Sequence, residues 1–220
     1  MGKQRKKEPW PTKAVMSQIY EKKMWGGEAS TDFYSGMGSH ALGIVNPYVE
    51  EVLEFLNSLD KKLILCDLGC GDFNVGRQLV DSTQKYIAVD IVPALIERNK
   101  GLFKMDNLEF HCLDICNDVL PKGDCAIVRQ VMQHLNNVEI NKLLEKLVQY
   151  KYLILTEHLP LKEYTANIDI VTGQGIRLKK NSGVNILMPP FSMQTKVLRD
   201  LSVVKYNDSS AIFTRIYQNF

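Results

Sequence analysis

The chain has 220 residues, 45% of them hydrophobic, and a formal net charge of +2. That length allows one sizeable core, and so even a charge balance makes no case for a nucleic-acid partner. No apolar stretch approaches the 18 or so residues that cross a bilayer and none follows the N-terminus, so the expectation is one soluble, cytoplasmic protein with no membrane contact.

In chain order, the basic run GKQRKKE reads as a solvated tail, and Lys6 stands where a myristoylation signal needs Ser or Thr. AVMSQIYEKKMW predicts a short helix, and GGEASTDFYSGMGSH a glycine-containing loop set with aromatic residues. NPYVEEVLEFLNSL, residues 46–59, predicts an amphipathic helix with Asn46 as N-cap and Pro47 in its first turn. From there, short apolar runs at 63–68, 86–91, 108–113, 125–128 and 152–156 alternate with helical patterns near 75–82, 93–103 and 138–149. In the last of these, Val138, Ile140, Leu143, Leu144 and Leu147 fall on one face. That rhythm predicts a parallel sheet covered on both faces. Residues 159–190 break it and read as a loop or hairpin insertion, while LSVVKYNDSSAIFTRIYQN predicts a closing antiparallel hairpin. Five cysteines without a secretory signal predict reduced thiols. The pairs Cys66/Cys70 and Cys112/Cys116 lack the short CxxC spacing and straddle strand ends, so no metal site is expected.

The stretch LILCDLGCGDFNVG, residues 63–76, carries the strongest functional signal: a strand running into glycines at 69, 71 and 76. A P-loop would need Gly-Lys-Ser/Thr where Gly76-Arg77-Gln78 stands, and a dinucleotide fingerprint would need glycine where Asn74 stands. Asp67 and Asp72 flank the glycines and would repel a pyrophosphate. They suit a ligand with a sulfonium, an ammonium and a ribose, which is S-adenosylmethionine (product S-adenosylhomocysteine). Asp90, about twenty residues past the glycines, can take both ribose hydroxyls. Asp114 can accept from the adenine amine, with Ile91 and Ile115 on the two sides of the ring. Each of these acids alone also reads as a helix cap.

Over residues 45–220 the sequence resembles the class I S-adenosylmethionine-dependent methyltransferases. LCDLGCGDFNVG matches their first motif, VDIV the acidic end of their second strand and LDIC their adenine segment; AIVRQVMQHL and YLILTEH are similar to their fourth and fifth strands. The resemblance implies an α/β, Rossmann-like, doubly wound seven-stranded sheet of order 3-2-1-4-5-7-6, strand 7 antiparallel. It implies a helical lid over residues 1–45 and a cofactor-binding domain over 46–220. It also implies that Arg129 and Gln130 lie at the methionine end of the cofactor, and that His134, Glu157 and His158 are the candidate catalytic residues. His134 alternatively caps the next helix, and Glu157 alternatively pairs with a Lys or Arg of the insertion. Trp25, Tyr34 and His40 are expected either to close over the cofactor or to pack the N-terminal helix, with Gly36 and Gly38 as hinges. MPPF at 188–191 reads as a structural turn, with Phe191 a candidate for lining the pocket.

The functional expectation is a methyltransferase acting on oxygen or nitrogen of a small-molecule acceptor, a metabolite or glycan precursor. The alternatives are a non-catalytic cofactor-binding partner subunit and an RNA or protein methyltransferase. Oligomeric state is not encoded in any motif.

Overall fold

The computed structural model describes residues 10–28 and 32–220; the basic N-terminal run lies outside them. Its elements are α1 (Thr12–Glu21), α2 (Met37–His40), α3 (Leu42–Asn57), β1 (Ile64–Leu68), β2 (Lys85–Asp90), α4 (Pro93–Leu102), β3 (Leu108–Cys112), β4 (Cys125–Arg129), α5 (Asn137–Leu147), β5 (Tyr152–Pro160), β6 (Lys196–Asn207) and β7 (Ser210–Gln218). The seven strands form one sheet of order β3-β2-β1-β4-β5-β7-β6. β1 to β5 run parallel, and β7 pairs antiparallel with both β5 and β6.

The period of two along each strand sends alternate side chains to two cores. Cys66 and Leu68 of β1, Ile87 and Val89 of β2, and Ala126 and Val128 of β4 pack with α1 and α5. Leu65, Tyr86, Ala88, Cys125 and Ile127 face the other way, against α3. Both faces being covered explains why these strands read as continuous apolar runs. α1 contributes Met16, Ile19 and Tyr20 to the first core, so the N-terminal helix is built into the sheet's packing. α5 starts where expected, with the Asn136 side chain accepting from the Glu139 N–H at 2.9 Å.

Several expectations need correction. Residues 75–82 form two short 3₁₀ turns, Gly76–Gln78 and Val80–Ser82, and no α-helix. α3 begins at Leu42, so Asn46 is no cap and Pro47 lies inside the helix. The apolar period starts at Ile44 and Val45, and the carbonyl that Pro47 leaves without its helical donor belongs to Gly43, an exposed position open to solvent. Val138 is 65% exposed and leaves the buried face to Ile140, Leu143, Leu144 and Leu147. β5 continues to Pro160 because β7 pairs with it throughout. Between β5 and β6 the insertion is loop with one 3₁₀ turn, Arg177–Lys180.

Candidate active site

The parallel strands all end at one edge of the sheet, and there the chain encloses a cavity of about 460 Å³. Its lining runs across the fold: Ile91 and Asp114 beyond β2 and β3, Gly69–Asp72 beyond β1, Arg129–Val131 beyond β4, His158 of β5, Tyr206 of β6 and Ile212 of β7. Met16, Tyr20, Met24, Trp25 and residues 35–39 close it from the N-terminal side. A crevice at strand ends, at the point where strand order reverses, is where doubly wound sheets bind ligands.

The glycines work through close packing. Gly69 and Gly71 have φ of +94° and +56°, which favours glycine. A Cβ on Gly69 would stand 2.3 Å from Val131 Cγ2, and one on Gly71 2.4 Å from Ser35 Oγ. A Cβ on Gly76 would meet the Phe73 ring at 2.6 Å and Asp67 Oδ2 at 2.8 Å. The turn therefore admits the chain beyond β4 on one side and the N-terminal segment on the other.

The acids divide by what holds them. Asp67 is buried, and its Oδ2 accepts from the Tyr86 hydroxyl at 2.8 Å. Burial pushes its carboxyl up to about 7, with the Tyr86 bond and Arg129 opposing. Asp90 accepts from the Gly71 N–H on Oδ2 and the Val92 N–H on Oδ1, both at 3.0 Å. Burial raises its carboxyl too, against the pull of those amides. Asp114 is engaged by its own turn: Oδ1 accepts from the N–H of Cys116 and Asn117, and Oδ2 from Asn117 Nδ2. Asp72, read as a carboxylate facing the ligand, instead fastens the N-terminal segment. It accepts from the Ser35 N–H at 2.8 Å and contacts His40 Nε2 at 2.6 Å, while its own N–H donates to Ser35 Oγ.

Arg129 donates through Nη2 to the Gly38 carbonyl at 2.6 Å and lies 4.7 Å above the Tyr48 ring. Gln130 has φ +56°, and its amide fills the space that a Cβ on Gly38 would need. Arg129 Nε, Gln130 Nε2 and Trp25 Nε1 are buried without hydrogen-bond partners. Trp25 packs its ring at 5.3 Å from Tyr20 and 5.1 Å from His134. Tyr34 and His40 stack on each other at 4.3 Å but do not line the cavity, and neither does Phe191. Met188–Phe191 is a turn, closed by the Phe191 N–H donating to the Met188 carbonyl.

The three candidate catalytic residues part company. His134 lines the cavity, but both ring nitrogens are taken: Nδ1 donates to the Gly173 carbonyl at 3.1 Å and Nε2 faces Gln133 Nε2 at 3.3 Å. Burial drives its imidazole down to about 4. Glu157 is absent from the cavity lining, because the strand's alternation turns it away from the side that His158 takes. Its two oxygens are buried and unpartnered, and burial lifts its carboxyl to about 8, with Arg177 of the insertion as the largest opposing influence. His158 lines the cavity beside Tyr206, ring centroids 4.6 Å apart, with Nε2 2.9 Å from Ser210 Oγ.

Sequence reasoning did not find Ser35, Tyr20, Gln133, Tyr206 or Ser210. Tyr20 has a local signal, the helical spacing from Met16; the others are brought in by contacts across the fold. Among the described residues, no cluster of three or more His, Cys, Asp or Glu could hold a metal ion, and all five cysteines are free thiols. No described helix is long and apolar enough to cross a membrane.

Sheet order and strand-end cavity give the chain the Rossmann-like fold that class I S-adenosylmethionine-dependent methyltransferases share. Within it, residues 65–150 match the family described as methyltransferase domain. The structure resembles the N-methyltransferase NodS from Bradyrhizobium japonicum WM9, solved with S-adenosyl-l-homocysteine (TM-score 0.69, 11% identity, covering 93% of this chain and 98% of that one). It also resembles magnesium protoporphyrin IX methyltransferase from Synechocystis PCC 6803 with bound SAM (TM-score 0.61, 15% identity, 96% and 99% covered). In sequence, 96 residues are 35% identical to a malonyl-[acyl-carrier protein] O-methyltransferase of Acetivibrio thermocellus, 40% of this chain. The match spans about a third, 34%, of that relative's length.

Proposed function

We propose that the protein transfers a methyl group from S-adenosylmethionine to an oxygen or nitrogen of a small-molecule acceptor, a metabolite or glycan precursor. The observation that carries this reading is the polarity of the cavity. Carboxylates of Asp67, Asp90 and Asp114 stand on its β1–β3 side, and unpartnered donors of Trp25, Arg129 and Gln130 on its other side. A ligand that satisfies both has hydroxyls and positive charge toward the first and a carboxylate toward the second. The donor set suits the methionine carboxylate, and Asp90, whose oxygens each keep a lone pair, suits the ribose hydroxyls.

When bound, the cofactor supplies an electrophilic methyl group. The chain's own task is to orient the acceptor and exclude water. Ser35–Ser39 and Trp25 cover the cavity, Asp72 and Arg129 hold that cover in place, and Gln133, His134 and Leu135 wall the acceptor side. Calorimetric titration tests the reading: S-adenosylhomocysteine binds, and NAD and ATP do not. At a hundred times its dissociation constant the ligand stabilises the fold by about 2.7 kcal/mol. Tight NAD binding with no binding of either methionine-derived ligand refutes it. Binding without turnover on any acceptor favours a non-catalytic partner subunit instead.

A further inference from the structure

Resting on that reading, we propose that His158 is the general base, that Ser210 and Asn207 orient it as positioning residues, and that the acceptor is therefore a hydroxyl compound.

The hydrogen-bond network assigns the protons. Asn207 Oδ1 accepts from the Ser209 N–H at 2.9 Å, which fixes it as the amide oxygen; the exposed Ser209 hydroxyl, also at 2.9 Å, can turn to solvent and leave the second lone pair to Ser210. The Ser210 hydroxyl donates to that oxygen at 3.0 Å, so its own oxygen is left to accept. It accepts from His158 Nε2–H at 2.9 Å. In neutral His158 the lone pair then belongs to Nδ1, which has no hydrogen-bond partner among the described residues. Ser210 is buried, and the relay is held across the paired strands β5, β7 and β6.

The same reasoning disqualifies the other histidine. Gln133 Oε1 accepts from the His158 backbone N–H at 3.2 Å, so Gln133 presents its NH₂ to His134 Nε2, while His134 Nδ1–H is spent on the Gly173 carbonyl. His134 keeps no lone pair for a proton. Glu157, the remaining candidate, lies outside the lining.

An oriented base matters for a hydroxyl, a poor nucleophile while it keeps its proton; a neutral amine attacks through the lone pair it already has. Beside His158 the lining holds Tyr206, whose ring centroid lies 4.6 Å from the imidazole, a flat aromatic neighbour for a hydroxyl-bearing acceptor. The exchange balances: the acceptor proton passes to Nδ1, and the oxygen pair forms the new C–O bond. The S–CH₃ bond breaks with its pair staying on sulfur, and the positive charge ends on the imidazolium, which returns the proton to water.

Long-range ¹⁵N–¹H correlation spectra of histidine-labelled protein saturated with S-adenosylhomocysteine read the tautomers directly. The Nε2–H form is expected for His158 and the Nδ1–H form for His134. Ser210→Ala should convert His158 to a tautomer mixture and leave His134 unmoved. Turnover of S-adenosylmethionine with a panel of hydroxyl-bearing rings and sugars should fall at least about 100-fold in His158→Gln, with affinity for S-adenosylhomocysteine and melting temperature unchanged. Ser210→Ala should give a smaller fall and a displaced pH profile. Three results would each overturn the proposal: Nδ1–H on His158, turnover confined to a matched amine panel, or a His158→Gln enzyme as fast as the wild type. Failure of the wild type to bind S-adenosylhomocysteine refutes the methyltransferase reading itself, whatever tautomer His158 adopts.

Discussion

The two ends of the cavity are built in opposite ways. Beyond β2 and β3, carboxylates are held by backbone amides a few residues away: Asp90 by Val92, and Asp114 by Cys116 and Asn117. Beyond β4 and β5, aromatic and neutral polar groups come from distant parts of the chain, as with His158 and Ser210, 52 residues apart. The first end is built by neighbouring strand-end turns, with the Gly71 N–H beyond β1 as the second donor to Asp90. The second exists only once the sheet has closed. Cofactor binding should therefore respond to changes at the first end and not to changes at the second, and five substitutions at four positions sharpen or break that division.

The largest effect is expected at the hinge between the ends. Gly69→Ala forces a Cβ into Val131 at a φ of +94°, so a loss of about 3 kcal/mol of stability and no measurable affinity for S-adenosylhomocysteine are expected by denaturant titration and calorimetry. Asp90 comes next. Because its carboxylate also holds the Gly71 and Val92 amides, Asp90→Ala should lose both binding and stability, by about 1.5–3 kcal/mol each. Asp90→Asn should weaken binding while keeping most of the stability. If the two variants bind alike and differ only in melting temperature, Asp90 is a cap and nothing more.

Glu157→Gln tests β5 behind the other end, on the side turned away from the cavity. The native carboxyl titrates near 8 against 4.5 for the ordinary group, so the folded state holds its proton more tightly than the unfolded state does. The stability this provides is complete below pH 4.5 and drains away as pH rises through 8. The amide cannot ionise. Its advantage over wild type should therefore grow between pH 5 and 8, by up to about 1.4 kcal/mol for each pH unit, as read by urea titration at each pH, with cofactor affinity unchanged. A variant less stable at pH 9 than the wild type would show that the carboxylate is charged and paired with Arg177. Asp114→Asn should do least. One amide oxygen can still serve the Cys116 and Asn117 amides, so a loss of affinity below tenfold, about 1 kcal/mol, is expected.

The same division explains what the sequence made legible. The strands, the glycine turn and Asp90 could be read because an apolar run, a tight turn and an acid at a strand end are neighbours in the chain, whereas strand order came only with the family resemblance. The 3₁₀ turns at 76–82 could not be told from a helix by apolar spacing. Asp72 looked like a ligand group because its partners Ser35 and His40 lie 37 and 32 residues earlier. Glu157 and His158 are adjacent and looked equivalent; the pleat of β5 separates them, and its phase is set by pairing with β7. The resemblance marks His134 as a candidate catalytic residue, yet the carbonyl of Gly173, 39 residues on, accepts its Nδ1–H.

The N-terminal segment is anchored at both ends, through Met16, Ile19 and Tyr20 of α1 and through Val45, Tyr48 and Val49 of α3. Whatever uncovers the cavity moves between two fixed points and cannot swing free as a separate body. Two clocks should then run in one short region. Amides from Ser35 to Ala41, fastened by little more than Asp72, Arg129 and their own single turn, should exchange with solvent through local opening, while those within α1 wait for the whole molecule to unfold. Removing the segment would accordingly take part of the core with it, so access to the cavity and integrity of the fold are governed by the same stretch of chain on different timescales.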